Sequence, residues 1–114
     1  MKLEKIAMPN DSLDHNRLLI EMDRTIQNVN RKVINPEIPE LTLAGLTPVI
    51  SMVARARSEY LKSLFGITEL VGDGLPTNEQ TAELHEKRTT FEELLNAAKA
   101  LETAIDRGYL DVSR

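Results

Sequence analysis

His15, His85 and a scatter of arginines that includes Arg24, Arg31, Arg55, Arg57 and Arg88 make up most of the reactive inventory of this 114-residue chain, which has no cysteine. Without a thiol there is no thiolate zinc site, iron–sulfur cluster, disulfide scaffold or cysteine nucleophile. Histidine is then the natural metal ligand and acid–base group. A di-iron helical bundle needs a glutamate three residues ahead of each histidine on the same helix face. Ser12 and Ala82 occupy those positions, and neither Asp11 nor Glu83 completes a ligand set. Both histidines therefore read as surface or boundary imidazoles, and no metal and no cofactor is expected.

The arginines carry more information. A helical stripe through Ile50, Val53, Tyr60 and Leu64 has Arg57 at its next inward position. An arginine on an apolar seam must find a carboxylate, a carbonyl or an anionic ligand, or else reach out to water. Under a structural reading Arg57 forms a buried pair with Asp23 or Glu92. Under a functional reading it centres an anion pocket with Arg55, Arg24, Arg31 or Arg88, of the kind that stabilises a polyanionic transition state by electrostatics alone. No glycine-rich phosphate loop, GxSxG elbow or HExxH pair occurs, and the ExxE and ExxD carboxylates of helical pyrophosphohydrolases are not spelled out. No catalytic residue is assigned.

Whatever these side chains do, helices must position them. Met1 to Asn10 reads as a loosely ordered arm, and Asn10-Asp11-Ser12 offers three N-cap candidates, so a first helix is expected over 12–34. Its stripe is Leu19, Met22, Ile26, Val29 and Val33, at spacings alternating between three and four. Asn35-Pro36 ends it, because proline disfavours helical geometry in the residue before it. A long connection with Pro36 and Pro39 follows, with a turn of helix at Leu43 to Leu46. Thr47-Pro48 has the form of an N-cap with proline at the first helical position, giving a second helix over 47–71. Thr77 and Gln80 form a capping box for a third helix over 77–107, with Gly108 as its terminating glycine. Tyr109, Leu110 and Val112 make an apolar tail that folds back.

The expected fold is a single all-α domain, a small antiparallel bundle of three long helices. Its charge is 14 Lys+Arg against 18 Asp+Glu, with the signs interleaved, so no nucleic acid is expected as a partner. Aromatic content of 4% leaves no stacking platform. No stretch has the length of a membrane span, and Met1 to Ile6 lacks the apolar region of a secretory signal, so a cytoplasmic location is expected. Val49, Leu61 and Leu95 lie beside the main stripes and extend the apolar surface. Together these features point to an interaction protein, an adaptor, small regulator or accessory subunit without its own catalysis, acting as a homodimer through those residues. The alternative is a small helical enzyme or anion-binding protein centred on Arg57.

Overall fold

The computed structural model describes residues 3–114, and side chains from 12 onward. Three α-helices account for most of it: α1 (Leu3–Ile34), α2 (Leu43–Val71) and α3 (Asn78–Asp106), with a single 3₁₀ turn at Asn35–Glu37 between the first two. Among the described residues there is no strand, only an isolated bridge between Leu41 and Val112. The protein is all-α.

Two helix starts differ from the expected ones. The backbone of α1 is helical from Leu3, so the Asn10–Ser12 caps are not its beginning. Leu3-Glu4-Lys5-Ile6-Ala7-Met8 is rich in good helix formers, and that propensity carries the helix back through the segment expected to be an arm; Met1 and Lys2 of that arm lie outside the described residues. α2 starts at Leu43, with Thr42 in extended geometry as N-cap and its hydroxyl accepting from the Gly45 amide at 3.0 Å. Pro48 therefore sits inside the helix rather than at its first position, and Thr47 turns its hydroxyl to the Leu43 carbonyl at 2.9 Å. The restriction before proline is a bias, and a good cap five residues upstream outweighs it.

α2 and α3 form the packed part of the molecule. The residues of α2 that lose most solvent are Val49, Val53, Ala56, Tyr60, Ser63, Ile67 and Val71, again at alternating spacings of three and four with one closing step of four. From α3 they meet a matching series that includes Leu84, Phe91, Leu94, Ala98, Leu101 and Ala104. The Tyr60 and Phe91 rings lie 6.1 Å apart and tilted where the two helices meet. This is the side-by-side geometry of a coiled-coil seam. Ala56 and Ser63 are small, so the backbones can approach closely around the aromatic pair.

α1 does not close the third side of this pair. Among the described residues it shares no packed contact with α2 or α3 along their lengths, and of the helical elements it packs on the 3₁₀ turn that follows it. The chain accordingly has a radius of gyration of 23.5 Å, where a compact domain of this length has about 13 Å.

What holds α1 is a polar clamp at the end of α3. The helix terminates in a Schellman turn: Gly108 takes φ of 73°, its amide donates to the Ile105 carbonyl at 3.1 Å, and the Tyr109 amide donates to Ala104 at 2.9 Å. The reversed chain then crosses the last turns of α1. Gln27 donates to the Arg107 carbonyl at 2.9 Å, and Arg31 donates to the Gly108 carbonyl at 3.0 Å and pairs with the Asp111 carboxylate. The Asn35 side chain accepts from the Asp111 amide at 2.8 Å and donates to its carboxylate at 3.4 Å. Arg107 reaches back to Asp23 at 3.6 Å. The positive φ favours glycine at position 108, and a Cβ there would also crowd the Gln27 amide nitrogen at 3.3 Å. The tail continues beside the connection, with Leu41 donating to the Asp111 carbonyl at 3.0 Å and Ser113 donating to the Leu41 carbonyl at 2.8 Å. Leu110, at 3% exposure, is the least exposed residue of the core.

The Arg31 guanidinium, then the Asn35 amide, hold the Asp111 carboxyl below its usual range. A carboxyl with a lowered folded-state pKa stabilises the folded form above the unfolded value and loses that contribution as pH falls through the folded one. Tail docking should therefore be constant from neutral pH down to about pH 4 and weaken below it. The Gly108 and Asp111 amide signals in NMR spectra should move with that midpoint, and the Asp111→Asn variant should lack the step. Signals that stay fixed in the wild type down to pH 2 would contradict the pairing.

The capping box of α3 is complete, since Thr77 accepts from the Gln80 amide at 3.1 Å and the Gln80 side chain accepts from the Thr77 amide at 2.8 Å. Thr77→Ala should cost about 1 kcal/mol, read as a lowered denaturation midpoint with unchanged slope.

Candidate interaction surface

Helical periodicity places the clamp and the apolar row of α1 on different faces. Asp23, Gln27 and Arg31, which hold the tail, follow one another at intervals of four, while Leu19, Met22, Ile26, Val29 and Val33 form a row offset by about 100° per residue. The clamp thus turns the apolar row away from α2 and α3. Its five side chains are between 41% and 64% exposed, and Leu18 at its border is as open. Isolated exposed leucines are ordinary on a protein surface, but a continuous heptad-spaced row is a packing face without its partner.

α2 has a second row of the same kind. Leu43, Ile50, Ala54, Arg57, Leu61 and Leu64 recur at helical spacing one position away from the seam, and all are exposed. Phe65 borders the row at 66% exposure. Ala54, Arg57, Leu61 and Phe65 line a shallow, open depression of about 380 Å³ in its middle. Two overlapping periodic patterns run along this helix, and Ile50 and Leu64 belong to the outer one, whereas the sequence reading had put them on the inner one.

That shift of one position explains Arg57. Ala56, not Arg57, takes the inward place of the seam, and Arg57 is exposed. No charged side chain is buried among the described residues, so the buried pair with Asp23 or Glu92 does not form. Asp23 engages Arg107 instead. The Arg57 guanidinium lies 5.0 Å from the centre of the Phe91 ring, a cation–π contact across the edge of the seam. The remaining arginines do not gather around it. Arg88 lines a separate depression with Tyr60, Leu84 and His85, Arg24 lies on the unpacked α1, Arg31 is committed to the tail, and Arg55 is an exposed residue of α2. Of the three residues expected to pair two chains, Leu61 lies on the exposed row, while Val49 and Leu95 are half-buried where α2 meets α3.

His85 is exposed and accepts from Arg88 through Nδ1 at 3.2 Å, with the Thr89 hydroxyl 3.5 Å from Nε2. Both contacts lie within one turn of the same solvated helix face. His15 is exposed on α1. Among the described residues no cluster of three or more histidines and carboxylates has the geometry to hold a metal ion, and no helix is long and apolar enough to cross a membrane. In comparisons with known proteins, no family model matches the chain, and no match emerges among curated proteins or solved structures.

The second row and the clamp residues were missed from the sequence for different reasons. Leu43, Ile50, Ala54, Leu61 and Leu64 are a legible three–four pattern once two patterns are allowed on one helix. Gln27, Arg31 and Asn35 also repeat at intervals of four, but their partners lie about 80 positions further along the chain, and no local signal points there.

Since Arg57 is itself exposed and lies over the ring of half-buried Phe91, Arg57→Met should change stability by no more than about 1 kcal/mol, the size of an exposed cation–π contact. Thermal denaturation of the variant checks this. A loss several times larger would mean that the guanidinium holds a buried partner after all.

Proposed function

We propose that this is a cytoplasmic interaction protein, an adaptor, small regulator or accessory subunit, that works by laying helix faces against other helices, beginning with a second copy of itself. It does no chemistry of its own, and neither a membrane nor a nucleic acid is its partner. The observation that carries this reading is surface. The chain exposes 8997 Å², whereas a compact monomer of this mass exposes about 6,300 Å². The two heptad-spaced rows of α1 and α2 stand uncovered within that surface. Apolar rows of this length, rimmed by charge, are the signature of helix-to-helix association. The balanced and interleaved charges favour protein partners over polyanions.

Sedimentation equilibrium at micromolar concentration should give twice the chain mass of 12.8 kDa. The double variant Met22→Gln/Ile26→Gln keeps good helix formers in α1 while removing the middle of its apolar row, so it should sediment as a monomer with unchanged helical circular dichroism. A wild-type monomer, or a double variant that still dimerises, would count against the reading.

A further inference from the structure

We propose that the two copies exchange their first helices, the α1 row of each lying along the outer row of α2 in the other. This inference rests on the self-association proposed above and names its arrangement. Three observations carry it.

The rows match. Leu19 to Val33 on α1 and Ile50 to Leu64 on α2 each span fourteen positions of helix, about 21 Å, and both follow the spacing of helices that cross at shallow angles. Arg57 stands in the middle of the α2 row, but its guanidinium is drawn over Phe91 of α3, so that its aliphatic stem remains in the row and its charge lies at the edge.

The chain does not cover its own row. Asp23, Gln27 and Arg31 bind the tail through the face next to the apolar one, and α1 has no packed contact with the α2 of the same chain. With both ends of the clamp engaged, the row is directed outward and is open to a second molecule. Reciprocal placement of a complementary element between two identical chains closes under two-fold symmetry and leaves no row exposed at either end.

The area suffices. Each chain carries about 2,700 Å² more surface than a compact monomer of its mass. A pairing that covers half of that excess on each chain would remove about 2,700 Å² in total, within the range of obligate homodimers.

The absence of cysteine makes the arrangement directly testable, because introduced thiols are the only ones present. Ile26→Cys and Leu61→Cys chains, one of them carrying a tag of distinct mass, are mixed under conditions of subunit exchange and treated with a short bismaleimide. The expected product is a covalent heterodimer joined from position 26 to position 61, with neither variant giving a cross-linked dimer alone. A chain carrying both substitutions should cross-link to the mass of two chains. If that double variant instead cross-links within a monomer, α1 folds onto its own α2 and exchange is overturned. Cross-linking of Ile26→Cys to itself would overturn it in favour of pairing between the two α1 helices. A non-covalent dimer without the 26–61 link defeats the exchange alone, while a monomeric mass for the wild-type chain defeats the self-association reading with it.

Discussion

The clamp between the end of α3 and the last turns of α1 governs everything else in this molecule. It is built almost wholly from polar groups: a glycine turn whose two carbonyls are met by the Gln27 amide and the Arg31 guanidinium, the Asn35 amide on Asp111, and two ion pairs, Arg31 with Asp111 and Arg107 with Asp23. None of these contacts is buried, so each is weak and screened by salt, and their worth is directional. They fix the face that α1 presents to its own chain. Because that face is the polar one, the apolar row has to look elsewhere, and the core is left with two helices where three would close it.

A two-helix core is a thin one. Among the described residues only Val53, Ala56, Ile67, Ala104 and Leu110 are buried, and no large side chain is completely enclosed. Two antiparallel helices cannot surround a side chain, since each seam residue keeps one flank in water, which is why most of the seam is half-buried. Small residues allow the backbones to approach, and Phe91 of α3 meets both Tyr60 and Arg57 of α2. A surface-rich chain of this size buries too little on its own to stand far above the unfolding threshold, a shortfall that small domains make up with staples or with partners. With no cysteine for disulfides, a protein partner is the simpler remedy.

Local chemistry was the legible part of the sequence. The capping box at Thr77 and the glycine at 108 act within a few residues of themselves, and both stand where their residue types indicate. The helical nature of all three long segments follows from period alone. The start of α2 was less legible, because Thr42 and Thr47 are both competent caps and the choice depends on whether Leu43 and Leu46 are better buried in helix or loop. The placement of Arg57 failed for a sharper reason. A helix with apolar residues on two adjacent faces has more than one three–four path through them, and the path through Ile50 and Leu64 passes the arginine while the true seam passes Ala56 and Ser63. Alanine and serine are faint signals of burial, yet a close helix pair selects for them.

The two faces of α1 also differ in what they can specify. Hydrogen bonds and ion pairs are geometrically exacting, so the Gln27, Arg31 and Asn35 face recognises one arrangement of one tail. A heptad row of Leu, Met, Ile and Val is permissive about its neighbour but costly to leave wet, each side chain giving up an appreciable part of its transfer free energy while exposed. Placing the exacting contacts inside the chain and the permissive ones outside is the arrangement suited to a protein whose folding is completed by association. Because the clamp sets the orientation within the chain, a partner of the kind proposed would meet the row already ordered, and less conformational entropy would remain to be lost on binding.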